Sequence, residues 1–427
     1  MADPVTEFQI KKCVLVPSEG SSLKEEYDIL GGDPRITYCE SMLSPAISLA
    51  VNFFDRDQVV SRYGLTGGEY IQVEVDSRSD ALGKFEITSD HNMIINRVRD
   101  VQTDVQGQMA TLEAVPSELL TNETARITKK FSGNIADTVK DIMITDVKGI
   151  QTSKKLDEES SANKYSFVGN YRRPIDIVQW LQPKASVESE EGESYGFLFW
   201  ETLDGYHFKS IETLLAQEPI GNDKYLKVEV PLETYQKLLD ATGDPVQDTI
   251  MSLRKGMYAN KTIYVDLETH IKTVDEFTIK DLGLEKPPKL PQGIDEKPTK
   301  LMFRVIDPGA MQKDSKKVDG DESATEKQQD LAKYQNKSYA RNSLLFSNTF
   351  NVSIPFNPKM RAGLTIEINF PLPDDNTAKS DRKETKKFGT EKDDDPSGIY
   401  LIEGLRHDIG GGSAVTQLSL IRDSFTA

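Results

Sequence analysis

The side chains that could do chemistry in this chain are few and scattered. Its four histidines, His91, His207, His270 and His407, stand far apart. None falls in the H-x-x-x-H or H-E-x-x-H spacing that sets two imidazoles on one helix face for zinc. The two cysteines, Cys13 and Cys39, make no C-x-x-C pair and are too few for a disulfide framework. They read as small buried hydrophobes in a protein made in a reducing compartment. Gly410, Gly411 and Gly412 are not followed by Lys-Ser or Lys-Thr, so the run reads as a turn rather than a phosphate loop. The acidic runs at 188–193 and 393–395 could hold the carboxylate pair of a glycosidase, but they lie in stretches of solvating composition and read as loop charge. Asp319, Gly320 and Asp321 lack the remaining positions of a calcium loop. No catalytic, metal or cofactor-binding residue is expected, and no enzymatic activity.

The 427 residues are too many for one core, so three or four domains are expected. Apolar residues at 37% suffice for packed cores and charged residues at 28% keep such a body soluble. A net charge of −17 repels polyanions, which argues against general binding to nucleic acid or anionic membranes. Residues 1–9 carry neither a basic nor an apolar signal region, and no stretch approaches the ~20 apolar residues of a membrane span, so a cytosolic site of synthesis is expected.

The elements that would position anything are mostly strands. Short alternating β-branched and aromatic runs occupy 35–114, clearest at 47–54, 70–75 and 109–114, with Gly64, Gly67 and Gly68 marking a tight connection. Beyond residue 125 the period changes. Ile135, Val139, Ile142 and Met143 follow a Ser132-Gly133-Asn134 start and predict an amphipathic helix. Pro174 opens a second helix that carries Ile177, Val178 and Leu181 and stops at Pro183. Residues 197–200 and 206–208 form an aromatic hairpin through Leu203-Asp204-Gly205. A longer hairpin is expected at 257–277, joined at 267–269, then an extended proline-rich segment at 284–299, a polar stretch at 313–321 and a helix over 322–345 with Leu331, Tyr334 and Tyr339 as its apolar contacts. Strands return at 350–356, 364–370, 399–405 and 415–421, around a charged loop at 373–396.

The two β-rich ends match in order and local detail, the sign of an internal repeat. Ile47 to Phe53 and then Ile71 to Val75 correspond to Phe350 to Ile354 and then Leu364 to Ile368, with a glycine turn between each pair. Each copy runs into an Ile-x-x-apolar-Arg strand, Ile95 to Arg99 and Ile402 to Arg406, and then a glycine turn and a last alternating strand. Alternation gives each copy one inward and one outward face. Two such units per chain would let a trimer present six similar units around one axis, so that a three-fold body could dock on a six-fold one.

In this order of parts the chain resembles the central baseplate hub protein of contractile-tailed bacteriophages, and also the hub portion of type VI secretion spikes. The carriers are the helix at 132–143, the segment 171–184, the stretch 197–218 with its aromatic hairpin and Gln217-Glu218-Pro219, and the closing run 350–424. The resemblance implies a mainly β fold with α+β parts: two similar tube-like antiparallel β-barrel domains, a small α/β domain and an inserted domain. The corresponding division is 1–125 for the first tube-like domain, 126–215 for the α/β domain, 216–277 with 341–427 for the second tube-like domain, and 278–340 for the insertion. It also implies a homotrimeric, non-enzymatic ring in the virion, assembled in the host cytoplasm. Such a ring would join the tail tube protein to the central spike protein, touch baseplate wedge or inner baseplate proteins, and let DNA through without binding it. On that reading, 35–114, together with 257–277 and 350–421, would line the ring. The alternatives are a tail-associated adhesin using the 197–208 aromatics as a sugar platform, or a cell-wall hydrolase needing a carboxylate pair in a cleft.

Overall fold

The computed structural model describes residues 8–65, 67–77, 82–104, 107–189, 192–220, 225–226, 238–244, 249–266, 270, 272–282, 290, 293–306, 311–313, 336–346, 348–370 and 397–422. The expected polar stretch beyond Lys313, the first part of the 322–345 helix with Leu331 and Tyr334, the 267–269 turn, residues 284–289 and 291–292 of the proline-rich segment and the 373–396 loop lie outside the described residues.

Ten strands carry the repeat. In the first copy they are β1 (Arg35–Ser41), β2 (Ser48–Asp55), β3 (Tyr70–Ser77), β4 (Met93–Asp104) and β5 (Gly107–Pro116). In the second they are β6 (Asp240–Asp244), β7 (Asn348–Pro355), β8 (Thr365–Asn369), β9 (Gly398–Gly410) and β10 (Ser413–Arg422). Period-2 patterning makes them strands with one apolar face: Leu49, Val51 and Phe53 on β2, and Ile71, Val73 and Val75 on β3, are buried at alternate positions. Antiparallel pairing runs β1-β2-β5-β4-β3 in the first copy and β6-β7-β10-β9-β8 in the second, the same order twice.

The copies agree below the level of topology. Ile95 lies opposite Ala114 and Arg97 opposite Glu113, so Asn96 is bulged out of the ladder. Ile402 lies opposite Leu420 and Gly404 opposite Ser419, so Glu403 is bulged at the same point. Gly68 N–H donates to Ile95 O and Ile95 N–H to Glu69 O, each at 2.8 Å. Gly363 N–H donates to Ile402 O and Ile402 N–H to Leu364 O, again at 2.8 Å. Arg99 and Arg406 thereby occupy one position of a duplicated unit, as the Ile-x-x-apolar-Arg pattern predicts.

The copies are fused edge to edge. β9 pairs with β1, which makes both copies, together with Phe8–Val16 and Tyr27–Asp28, parts of one 14-stranded sheet around a shared core. A second core, built on Ile135, Val139, Ile142, Met143, Ile177, Val178 and Leu181, belongs to the small α/β unit. Its first helix begins where the Asn134 side chain accepts from Ala136 N–H, and its second helix, Pro174–Leu181, has proline in the first turn.

One part of the expected arrangement differs. The hairpin Ala259–Asp266 with Lys272–Thr278, placed by sequence in the second β-unit, pairs instead with Lys300–Ile306 in a separate three-stranded sheet. Tyr258, Tyr264 and Phe277 are buried there, and Thr262 and Tyr264 hydrogen-bond to Asn336, a helical residue. The first strand of the second copy is the short β6, and everything from 249 to 346 enters between β6 and β7. β6 was missed because Asp-Ala-Thr-Gly-Asp has no apolar alternation; it is a strand because β7 offers it a ladder.

Gly363 has φ +91°, and a Cβ there would stand 2.5 Å from the Trp200 ring. Gly68, its counterpart, has φ +103° and nothing nearer than Ser18 Oγ at 3.8 Å. Gly363→Ala is expected to cost about 2–4 kcal/mol through crowding plus backbone strain, and Gly68→Ala about 1 kcal/mol through strain alone. Denaturant melts of the two variants check this; equal losses would remove Trp200 as the cause.

Candidate functional site: the seam between the two copies

At the seam β1 and β9 run antiparallel, with Tyr38 opposite His407, Cys39 opposite Arg406 and Thr37 opposite Asp408. The inward positions, Ile36, Tyr38 and Glu40 on β1 and Leu405, His407 and Ile409 on β9, are all buried. Tyr38 and His407 stack at 5.9 Å, and Phe85 and Phe356 meet the imidazole edge-on at 5.6 and 5.2 Å. Complete burial pushes the His407 pKa down to about 3, helped by the nearby Arg361 charge, so the ring is neutral. His407 Nδ1 and Thr416 Oγ1 share a 2.9 Å hydrogen bond. This histidine is a packing element.

Glu40 is the buried carboxylate of the seam. It accepts from Tyr38 Oη at 2.7 Å, from Leu203 N–H at 2.9 Å and from Ala362 N–H at 2.9 Å, and the Arg361 Nε stands 3.9 Å away. Burial raises its pKa, and the Arg361 charge and the three donors pull against that. Those partners come from β1, from the aromatic hairpin of the α/β unit and from the turn before β8. The same hairpin is held from either side: Leu203 O meets His91 Nε2 at 3.1 Å, Asp204 meets Arg361 Nε at 3.1 Å, and Trp200 Nε1 donates to Ala362 O at 3.0 Å.

A second buried carboxylate ties the first copy to the α/β unit. Glu201 accepts from Ile47 N–H at 3.1 Å and from Lys154 Nζ at 2.6 Å, and Lys154 also lies 3.3 Å from Glu118. Burial pushes the Glu201 pKa up to about 7 against the pull of Lys154.

On the opposite, polar face of the sheet, charges are neutralised locally. Arg99 Nε lies 2.6 Å from Glu113, and Arg406 Nε lies 2.8 Å from Asp408, which also accepts from Thr37 Oγ1 at 2.9 Å.

The residues singled out by sequence are not brought together. His91 contacts the hairpin turn, His207 stacks on Trp200 at 5.0 Å, His270 is exposed, and His407 is in the seam core. Among the described residues no three His, Cys, Asp or Glu side chains are grouped as a metal site requires. Cys13 is buried, which pushes its thiol up to about 12, and Cys39 is half-buried on the polar face of the seam. Gly410 to Gly412 form the turn between β9 and β10. The 188–193 run, expected as a loop, instead contributes to a hairpin, Ser186–Ser189 with Gly192–Tyr195. The acids at 319–321 and 393–395 lie outside the described residues. Glu40 and Glu201 were passed over by sequence reasoning. The signal for Glu40 is an acid at an inward position of an alternating strand, in step with Ile36 and Tyr38; for Glu201 it is an acid closing the apolar run Phe197 to Trp200.

By sequence, the chain matches no protein-family profile and no curated protein. Its structure does find relatives. A tail protein from Neisseria meningitidis MC58 superposes with TM-score 0.54 at 11% identity, covering 97% of each chain. The 43 kDa tail protein of prophage MuSo2 from Shewanella oneidensis superposes with TM-score 0.55 at 9% identity, covering 97% of this chain and 99% of that one. The chain has the fold of phage tail proteins. The Escherichia coli c3393 protein, a component of the type VI secretion system, aligns over 98% of this chain and 77% of its own at 8% identity, with a TM-score of 0.42. In this tail-protein fold the aromatic hairpin is a structural wedge: Phe197, Phe199, Trp200, Tyr206 and Phe208 are all buried, so none is available to stack on a sugar.

Glu40→Ala is expected to lower stability by about 3–5 kcal/mol, because it leaves two buried donors, the Tyr38 hydroxyl and the Ala362 N–H, and the half-buried Leu203 N–H unanswered. Equilibrium unfolding at pH 7 measures it, and a loss under 1 kcal/mol would rule out the assigned role. Glu201 has a folded-state pKa above its ordinary 4.5, so the fold favours its protonated form. Its contribution is complete below about pH 4.5 and is lost as pH rises through about 7. Glu201→Gln keeps an acceptor for Ile47 N–H. Relative to the parent chain it should gain on the order of 1–3 kcal/mol between pH 5 and pH 8. A pH-independent difference between the two unfolding curves would contradict this.

Proposed function

We propose that this chain is the hub of a contractile phage tail baseplate, a non-enzymatic homotrimer whose duplicated units form a pseudo-six-fold ring. The observation that carries the reading is the duplication itself: one strand order, one bulge position and one hydrogen-bonded glycine turn, each present twice and fused edge to edge. A body that must meet a hexameric tube on one side and a trimeric spike on the other needs six equivalent-looking surfaces from three chains, and duplication supplies them. In this reading the tail tube protein and the central spike protein are the axial partners, wedge or inner baseplate proteins contact the periphery, and the assembled particle is the virion tail. The tail-protein fold supports it.

The domain division that goes with this reading keeps 1–125 as the first tube-like unit and 126–215 as the α/β unit. The second tube-like unit is built on β6 to β10, and the separate sheet of 259–306 goes with the insertion.

DNA would pass along the polar sheet face. Arg99 and Arg406, the repeated cations of that face, are already matched to Glu113 and Asp408, so phosphates would find few free counter-charges there. The overall charge of −17 acts in the same sense.

Mass measurement in solution, with electron-microscope class averages of the chain alone and with its spike, tests the assembly. Three chains in a ring of six lobes are expected; a particle that stays monomeric even on the spike would end the proposal. Purified rings should fail to retain duplex DNA at low salt, and tight retention would overturn the channel.

A further inference from the structure

The insertion and the α/β unit are fastened to each other. Met311–Lys313 adds antiparallel to Asn163–Val168, with Tyr165 opposite Met311. Residues 336–345 are helical, and Arg341 among them donates to the Glu212 carboxylate through Nε at 2.7 Å and Nη2 at 3.1 Å. At Gly196 the backbone comes so close that an added Cβ would stand 3.7 Å from both Ser338 Oγ and Asn342 Nδ2. The junction leaves an open cavity of about 410 Å³, in the range that holds small-molecule ligands. Pro183 of the α/β unit, Arg304 of the strand Lys300–Ile306, Lys255, and the helix-side residues Ser338, Tyr339 and Phe346 belong to its lining.

The charge in this cavity has one sign. Among the described residues, Lys255 and Arg304 are the charged members of the lining, in a chain whose net charge is −17. Alternation sets Arg304 inward: Leu301, Phe303 and Val305 are exposed on one face of the strand, while Arg304 stands opposite the buried Tyr264, whose hydroxyl reaches Asn336. Apolar residues out and a base in reverses the usual order of a sheet over a core. Lys184, next to Pro183, is buried, with Nζ 2.8 Å from Trp180 O and 3.9 Å from the centroid of the Trp180 ring. Burial and the Arg304 and Arg172 charges push its pKa down to about 7. Like charges gathered in this way cost free energy that an anion would relieve. Ser338 is fully buried, and its hydroxyl has no hydrogen-bond partner among the described residues. Tyr339 is held as a wall, its Oη accepting from Lys300 Nζ at 2.5 Å. We infer that this cavity binds a small organic anion, one carboxylate or phosphate on a ring-sized apolar body, with the charge toward Arg304 and Lys255 and the body against Tyr339, Phe346 and Pro183.

Such binding needs no second chain, so it is measured on the full chain alone and is separate from the ring. Equilibrium dialysis against 1-naphthoate, 1-naphthyl phosphate and the uncharged 1-naphthamide reads it out. At least one of the anions should bind at one site per chain with a Kd below about 1 mM, and the amide about tenfold more weakly or worse. Tighter binding of the phosphate assigns the natural ligand to the phosphate esters, and tighter binding of the naphthoate to the carboxylic acids. Arg304→Met should weaken the preferred anion by about tenfold or more, Arg304→Lys by less, and Ser338→Ala by about two- to fivefold. Lys148→Met, which removes an exposed cation outside the lining, should leave the affinity unchanged. Should Arg304→Met fail to fold by circular dichroism, Lys255→Met, which removes an exposed charge, carries the same test with a loss of about threefold. The site is overturned if neither anion binds at millimolar concentration, if the amide binds as well as the anions, or if the affinity survives both Arg304→Met and Lys255→Met.

Discussion

A strand that ends a sheet leaves its backbone donors and acceptors in search of partners, and the whole molecule is organised around how one such edge is answered. β1 could have ended the first copy at water. Instead it is laid against β9, and the burial this brings must be made consistent with three different elements arriving at one place. Glu40 does that. Its carboxylate takes two backbone N–H groups from separate units and a tyrosine hydroxyl from its own strand, which fixes the aromatic hairpin and the turn before β8 relative to the seam. An apolar residue there would pack, but the N–H groups of Leu203 and Ala362 would be left without acceptors.

The aromatic hairpin is held because its rings are fully occupied inside the protein. Trp200 spans the contact: its indole N–H reaches Ala362 O, its face covers His207, and its edge leaves room only for glycine at 363. The left-handed backbone that opens β8 is therefore selected twice, by φ and by space. In the first copy the equivalent glycine answers to φ alone, so the repeat preserves the conformation without preserving the environment.

Much of this was legible in the sequence because it follows from periodicity. The alternation in β2, β3, β7 and β10, the apolar stripe of Ile135, Val139, Ile142 and Met143, the proline opening Pro174–Leu181 and the Leu203-Asp204-Gly205 turn each encode a local geometry. The Ile-x-x-apolar-Arg pattern marked the position where both copies bulge. What could not be read was non-local. β6 is a strand only because β7 lies beside it, the hairpin at 259–278 belongs to its own sheet because Lys300–Ile306 pairs with it, and Glu40 matters because of residues more than 160 positions away. Period cannot carry such facts.

The two copies differ most at one connection. Between β1 and β2 the chain turns within a few residues, while between β6 and β7 it makes an excursion of roughly a hundred residues. Closing a long loop costs only logarithmically more than closing a short one, and the strands on either side keep their register whatever lies between them. The hairpin end joining these two strands is therefore a natural graft point. The fold already carries a folded passenger at one of its two equivalent ends, and the tip of the short turn at 43–45, where Leu43 is exposed between the buried Met42 and Ile47, is the vacant counterpart where a second could be carried.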